Sequence, residues 1–336
     1  MLLRDRVDSF KKLSKILSNS AQKKSICSTL EKVEKNNPWF VKEYVQYSLQ
    51  AISFMLSGDK LEKWIYNYQL KSGVKKIGVI IPSNIPLVGF YDFLCVLLSG
   101  NIFIGKLSIS NNILLPFIAE LLYSINKDFK KYIFFKNDLT DIDLLIATGD
   151  DNSSEYFNYF FKSTPKIIRK NRNSVCVLDG SETMDDYHNL MNDLLMYYGL
   201  GCRNVSKLYI PIQLNINILQ SYIKDFFKSK ISNNYLDNYL FQKTKYTLNK
   251  INFLDCGHTL LTPSKYISSP ISVIYYESYS NLNVVKKHLE DNCNSIQCVV
   301  SNSIIFDRMS SFGKSQMPDL KDKPDGIDII QFICSN

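Results

Sequence analysis

From Lys75 onward, short uninterrupted apolar runs alternate with longer segments of helical periodicity, and this alternation limits the fold more than any other feature. The first run is Ile77–Ile81; a helical pattern over 87–98 follows, then a second apolar run at Ile102–Ile104. Strands that are apolar along their whole length are buried on both faces, and strands that alternate with helices form parallel sheets. Such sheets bind ligands at the carboxyl ends of their strands. The sequence therefore predicts an α/β protein with its binding residues just after strand ends.

The chain has 336 residues, which is long enough for more than one domain. Before Lys75 the apolar positions recur at helical spacing, and after Asp179 a second series of strands and helices begins, including a helical stretch within 214–248. Strand patterns are expected at 132–135, 143–147, 174–178, 208–210, 271–275 and 297–300. The predicted parts are an N-terminal helical region at 1–72, a first α/β domain at 73–180, a second α/β domain at 181–308, and a tail at 309–336 that returns to the core and ends in a short strand.

The composition excludes several classes of function. The net charge of +8 comes from scattered lysines, whereas nucleic-acid binding requires a clustered basic face, so we expect no nucleic-acid partner. The most apolar stretch, 77–104, is interrupted by polar residues and prolines, so no integral membrane segment is expected.

The cysteines and histidines argue against two further classes, proteins held by disulfides and metalloproteins. The eight cysteines lack paired C-x-x-C spacing and several lie in apolar runs, which is typical of reduced thiols in a cytoplasmic protein. The three histidines, at 188, 258 and 288, are far apart in the chain, so no metal site is expected.

The segment Tyr198–Lys207 contains the candidate nucleophile. Cys202 follows two spaced glycines, after a helical pattern over 182–198 and before an apolar strand. A thiol at such a turn is expected to be exposed, and Arg203 and Lys207 are expected to favour the thiolate. The alternative is a buried cysteine that follows a helix-capping glycine.

Three further motifs precede this one at strand ends. Ile81–Leu87 is a proline-flanked loop that presents Asn84, Ser99–Ser108 is a short strand that delivers Lys106, and Ile146–Ser154 contains Thr148 and Gly149 at the start of a helix. Each also has a plain structural interpretation, namely a turn residue, a solvated strand end and a helix cap.

In this order the four motifs resemble the signatures of the aldehyde dehydrogenase superfamily. More narrowly, from about residue 35 to the C-terminus the chain resembles the long-chain fatty acyl-CoA reductases of the bacterial bioluminescence pathway and their non-luminous relatives. The segments that carry this narrower resemblance are 84–90, 170–175, 199–207 and 269–273.

The resemblance implies an aldehyde-dehydrogenase-like fold with two doubly wound α/β domains, the first binding a dinucleotide and the second carrying the nucleophile. It implies that Cys202 attacks an acyl-CoA thioester, that Asn84 and the Cys202 backbone N–H stabilise the oxyanion, and that NADPH then reduces the thioacyl enzyme to a fatty aldehyde. NADH stays open as the reductant. The implied cofactor-binding residues are Pro82, Ser83, Lys106, Ser108, Thr148 and Gly149.

The sequence also departs from the superfamily pattern. Residues 171–174 lack the carboxylate that activates water in hydrolytic relatives, which favours a reductase, and Tyr266 stands near the expected position of a cofactor-binding Glu. Asp150 and Asp151 follow Gly149, where carboxylates repel a pyrophosphate.

Two alternatives therefore remain open: a short-chain CoA-acylating aldehyde dehydrogenase, and a non-redox acyl-transfer or carrier subunit whose cofactor site has degenerated. The resemblance adds an acyl-activating synthetase and homo-oligomerisation as expected associations.

Overall fold

A computed structural model describes residues 1–19, 24–71, 73–227, 231–304 and 306–336. The chain forms two compact units, Met1–Asn171 together with Met317–Asn336, and Arg172–Gln316. Among the described residues, none of the helices combines the length and the apolar character needed to cross a bilayer.

The first unit begins with helices and continues as alternating strands and helices. Its elements before residue 172 are α1 (Leu3–Ser18), α2 (Lys24–Asn36), α3 (Lys42–Leu56), α4 (Lys60–Ile65), β1 (Lys76–Ile81), α5 (Phe90–Leu98), β2 (Ile102–Leu107), α6 (Leu114–Ile125), β3 (Ile133–Phe135), β4 (Leu144–Thr148), α7 (Asp151–Phe160) and β5 (Lys166–Arg169). The strands form one parallel sheet in the order β3-β2-β1-β4-β5. In this order β1 has β2 on one side and β4 on the other, which is the switch-point arrangement at which doubly wound sheets bind ligands.

The second unit contains a larger sheet. Its elements are β6 (Asn173–Val177), α8 (Met184–Leu195), β7 (Val205–Pro211), α9 (Ile218–Phe226), α10 (Asn233–Leu248), β8 (Leu254–Asp255), β9 (Leu260–Pro263), β10 (Val273–Tyr279), α11 (Leu282–Asp291), β11 (Ile296–Val300) and β12 (Met309–Ser310). The strand order is β12-β11-β6-β7-β10-β9-β8, and the pairs are parallel except for β8 with β9.

The N-terminal helices are part of the first unit and not a separate region. Phe10 of α1 and Leu49 of α3 are buried in the same apolar core as Ile77 of β1 and Phe93 of α5. Helices with an apolar face must bury it against another layer, and here that layer is the first sheet with its covering helices.

The domain boundaries differ from the sequence prediction in two places. The predicted first domain, 73–180, includes the strand pattern at 174–178, but this strand is β6, which pairs with β7 and β11 of the second sheet. The first sheet ends instead with β5, which its sequence does not predict because Lys166–Arg169 is short and bounded by charged residues.

The tail is also divided between the units. Residues up to Gln316 belong to the second unit, whereas Met317–Asn336 belong to the first. The expected final strand is the helix α12 (Ile329–Ser335), whose Ile329, Ile330 and Ile333 are buried in the first core. Short apolar runs suit a strand or a buried helix equally well, and packing against α5 selects the helix.

The helical stretch predicted within 214–248 contains α9 and α10, and its residues 228–230 lie outside the described part of the chain.

Candidate functional site

The second unit presents Cys202 on a turn between α8 and β7. α8 begins with a capping box, in which Thr183 and Asp186 satisfy each other's backbone N–H groups. After α8 ends, Tyr197, Tyr198 and Gly199 have consecutive left-handed backbone conformations, with φ of 54°, 57° and 76°. This run of positive φ values turns the chain away from the helix before it enters β7.

The two left-handed tyrosines are held by burial. A non-glycine residue in this region costs roughly 1–3 kcal/mol, so the surrounding structure must offset that strain. Tyr197 and Tyr198 are both buried, the Tyr198 hydroxyl accepts a hydrogen bond from Ser232 N at 2.9 Å, and its ring stacks on Tyr235 at 5.0 Å. Stored backbone strain of this kind is concentrated at functional sites.

Cys202 itself is exposed, as the sequence predicts. Asn204, two residues later, is buried and fixes the turn from inside. Its Oδ1 accepts from Gly201 N at 2.9 Å, and its Nδ2 donates to Met196 O at 2.8 Å and to Asp193 O at 3.2 Å. The asparagine therefore bonds the end of α8 to the residue before the thiol.

Two more contacts hold the backbone on either side of the sulfur. Cys202 O accepts from the buried Ser174 Oγ on β6 at 3.0 Å, and Arg203 Nε donates to Ser315 O at 2.6 Å. Ser174 Oγ also accepts from Cys298 N of β11 at 3.2 Å. The Cys202 side chain is thus exposed while the peptide groups around it are fixed by neighbouring strands and loops.

Asp193, in α8, links this turn to the loop that follows β12. Its carboxylate is buried and accepts from Gly313 N at 2.6 Å and Ser315 N at 3.0 Å. Burial raises the pKa of Asp193 to about 6, although the bonds from Ser315 and Gly313 and the charge of Arg203 oppose the rise.

The effect of Lys207 on the Cys202 thiolate stays a prediction, and the structure shows Lys207 bound to other groups. Lys207 is fully buried in β7, where its Nζ donates to Lys265 O at 2.9 Å and forms an ion pair with Glu277 of β10. Burial lowers the pKa of Lys207, and the Glu277 carboxylate opposes that effect. The sequence pattern of β7 could not reveal Glu277 as the partner of Lys207, because β10 is distant in sequence.

The first unit holds Asn84 in the loop that follows β1. The carbonyls of Pro82 and Pro86 accept hydrogen bonds from Asn111 Nδ2 at 2.8 Å and from Ser48 Oγ at 3.0 Å. Leu87 has a left-handed φ of 58° just before α5 begins. Asn84 is half-buried within this anchored loop.

The residues predicted to bind the cofactor lie at one edge of the first sheet. They follow or end three adjacent parallel strands: Pro82 and Ser83 after β1, Lys106 and Ser108 at the end of β2, and Thr148 and Gly149 at the end of β4. Lys106 is exposed, and Ser108 Oγ lies 3.1 Å from Ser110 Oγ. Sheet topology thus brings these residues together, and their roles toward a ligand stay predictions.

The start of α7 is occupied by the protein's own carboxylate. Asp150 is the N-cap residue, and its side chain accepts from Ser153 N at 2.7 Å. The bonds from Ser153 hold the pKa of Asp150 below its usual range. Gly149 packs so closely that an added Cβ would lie 2.8 Å from Ser153 Cβ. A phosphate at this helix end would meet a negative charge already in place.

Sequence reasoning missed a buried ion pair at the same edge of the sheet. Arg169, the last residue of β5, donates to both carboxylate oxygens of Asp92 on α5, at 2.6 and 2.8 Å. Both side chains are buried. The available signal was Asp92 itself, a lone charge in an otherwise apolar helix, since a buried carboxylate requires a partner.

Comparison with solved structures defines the class of fold. Aldehyde dehydrogenase 21 from Physcomitrella patens, solved with succinate, has a TM-score of 0.67 at 13% identity, covering 90% of this chain and 74% of its own. A benzaldehyde dehydrogenase from Corynebacterium glutamicum has a TM-score of 0.63 at 11% identity, covering 94% of this chain and 83% of its own. A Mycobacterium tuberculosis aldehyde dehydrogenase solved with NAD+ has a TM-score of 0.62 at 12% identity, covering 89% of this chain and 73% of its own. The chain therefore has the aldehyde dehydrogenase fold.

The family follows from sequence. The profile of the LuxC acyl-CoA reductases matches residues 11–211, more than half of the chain. The protein belongs to this acyl-CoA reductase family, as the narrower resemblance of its sequence implies. Among curated proteins, none matches the chain in sequence.

Proposed function

We propose that the protein reduces long-chain fatty acyl-CoA to the aldehyde with NADPH, through a thioacyl intermediate on Cys202. The observation that carries the proposal is an exposed thiol on a turn whose flanking peptide groups are fixed by the buried Asn204 and Ser174. Family membership supports acyl-CoA as the substrate.

In the proposed reaction the Cys202 thiolate attacks the thioester carbonyl carbon and forms a new C–S bond. The oxyanion then collapses, the bond to the coenzyme A sulfur breaks, and coenzyme A leaves as a thiolate. The Asn84 amide and the Cys202 backbone N–H donate to the oxyanion. After reduction, Cys202 leaves the thiohemiacetal as a thiolate and the aldehyde is released. The resemblance of the Ile81–Leu87 loop to the superfamily motif supports the role of Asn84.

We propose that the edge of the first sheet binds the adenosine end of a dinucleotide. Lys106 is an exposed cation and Ser108 a hydroxyl group at the end of β2, beside Ser83 after β1. A lysine there suits a 2′-phosphate, which favours NADPH over NADH. NADPH, when bound, supplies the hydride for the thioacyl carbon. Thr148 and Gly149 are proposed to lie near the phosphates.

A panel of acyl-CoA thioesters of increasing chain length, assayed with NADPH and with NADH, tests this function. A long apolar site raises kcat/KM by about fourfold per methylene, since each buried methylene contributes ~0.8 kcal/mol. A maximum at short chains would instead support a CoA-acylating short-chain aldehyde dehydrogenase.

Replacing the nucleophile tests the mechanism. Cys202→Ala is expected to lower turnover by at least about 1,000-fold and to abolish covalent acyl labelling, whereas Asn84→Ala lowers kcat by roughly 100- to 1,000-fold. The half-buried Cys293 provides the matched control, and Cys293→Ala should retain both labelling and turnover. Wild-type labelling in Cys202→Ala would contradict the proposal.

The Asp150 cap favours a second candidate, a non-redox acyl-transfer or carrier subunit. Titration of NADPH and NADP⁺ by calorimetry separates the two. Binding in the micromolar range supports the reductase, and its absence at millimolar concentration together with retained acyl labelling of Cys202 supports the carrier.

We further propose that the protein is cytoplasmic, that it forms homo-oligomers and that it associates with an acyl-activating synthetase. All eight cysteines are thiols, which supports a reducing compartment. The family resemblance supports the two associations, and light scattering of the purified protein, alone and with an acyl-activating enzyme, tests them.

A further inference from the structure

Residues 264–272, all described by the structure, form an irregular connection between the parallel neighbours β9 and β10. Parallel strands are usually joined by a longer crossover that contains a helix. Since the segment has no helix or strand of its own, its course depends on contacts with the surrounding elements.

Two neighbouring residues of β7 bind this segment through its carbonyls. Ser206 Oγ donates to Ile267 O at 2.7 Å, and Lys207 Nζ donates to Lys265 O at 2.9 Å. The bound carbonyls flank Tyr266, whose side chain is 77% exposed. The backbone between the two contacts is therefore held at both ends while the tyrosine side chain stays in solvent.

A bulge explains how adjacent strand residues reach the same segment. Successive side chains of a regular strand point to opposite faces. Between β6 and β7 the register shifts, since Ser174 pairs with Val205 and Val175 pairs with Lys207, leaving Ser206 as the extra residue. Bulges of this kind re-aim side chains beside functional sites.

The positive charge of Lys207 interacts with groups that surround its buried ammonium. The side chain is fully buried, and its ammonium group forms an ion pair with Glu277 and lies 4.7 Å from the ring centroid of Tyr209. A cation neutralised in this way has little remaining influence on a thiol at the other end of the motif.

We infer that Ser206 and Lys207 are positioning residues that clamp segment 264–272 against β7, and that Lys207 does not activate the Cys202 thiol. The inference rests on the proposed function only in taking Cys202 as the nucleophile. Its readouts need no acyl-CoA turnover, so it can fail or hold independently of the reductase assignment.

The first test is limited trypsin digestion in the native state. Trypsin cleaves after Lys265, whose carbonyl Lys207 holds, and both Lys265 and Tyr266 are exposed. Lys207→Met is expected to speed cleavage of this bond by at least about tenfold, because a hydrogen bond from a charged donor is lost. Ser206→Ala, a milder change, should act in the same direction. The control is Lys286→Met, at an exposed lysine of α11.

The peptide that begins at Tyr266 is quantified by mass spectrometry against cleavage elsewhere in the chain, so that general unfolding is separated from local release. Should Lys207→Met fail to fold, the rate of cleavage after Lys265 in Ser206→Ala still tests the clamp. Unchanged cleavage at this bond in a folded variant would overturn the clamp.

The second test is the pH dependence of Cys202 alkylation by iodoacetamide, followed on the Cys202 peptide. The midpoint is expected to be the same in the wild type and in Lys207→Met. A midpoint at higher pH in the variant would show that Lys207 stabilises the thiolate, and the inference would be wrong.

Discussion

At the scale of single residues, the side chains that follow Cys202 mainly bind backbone carbonyls of other segments. These contacts are Arg203 with Ser315 O, Asn204 with Met196 O, Ser206 with Ile267 O and Lys207 with Lys265 O. The side chains of these four residues therefore fix backbone carbonyls of neighbouring segments. Precise placement of a nucleophile is itself a large part of catalysis, since it replaces an entropic cost of the reaction.

Asp193 provides a prediction about pH. Its folded pKa of about 6 lies above the ordinary value of 3.8, so the folded state binds the proton more tightly than the unfolded state. Stability from this group is present below about pH 4 and is lost as pH rises through about 6, by an amount on the order of 3 kcal/mol. Asp193→Asn removes this titration. The melting temperature of the variant relative to that of the wild type should therefore increase as the pH rises from 4 to 6.

The measurement is a series of thermal melts from pH 4 to pH 8, with Asp185→Asn on the same helix as a control of equal charge change. A difference between wild type and Asp193→Asn that stays constant across pH 4–6 would show that the buried carboxylate titrates normally.

At the scale of elements, one buried ion pair joins a helix to the edge of the first sheet. Asp92 lies in the first turn of α5, and Arg169 ends β5, the strand next to β4. Because α5 follows the Asn84 loop directly, the pair also limits movement of the helix on which that loop depends.

The pair predicts a non-additive stability change. Asp92→Leu and Arg169→Met should each cost roughly 3–5 kcal/mol, because each leaves a buried charge without its partner. The double variant should lose less than either single variant, since no charge is then left buried. Urea unfolding of the four proteins measures this, and additive losses would contradict the interpretation.

At the scale of the whole molecule, the chain leaves the first unit after Asn171, builds the second, and returns at Met317. The returning segment is bound by Tyr91 to Leu320 O and by Tyr68 to Asp328, and α12 enters the first core. The first unit is therefore completed only by the last residues of the chain.

The sequence by itself determined the α/β class and the family, and it predicted an exposed Cys202 with a buried cysteine as the alternative. Apolar periodicity, glycine positions and ordered motifs are local properties, and each reports directly on backbone conformation and burial. Only the tertiary structure decided that 174–178 joins the second sheet and that the tail ends in a helix. It also decided that Lys207 forms an ion pair with Glu277 and a hydrogen bond to segment 264–272. Strand partners and buried ion pairs join residues far apart in the chain, so no local pattern can specify them.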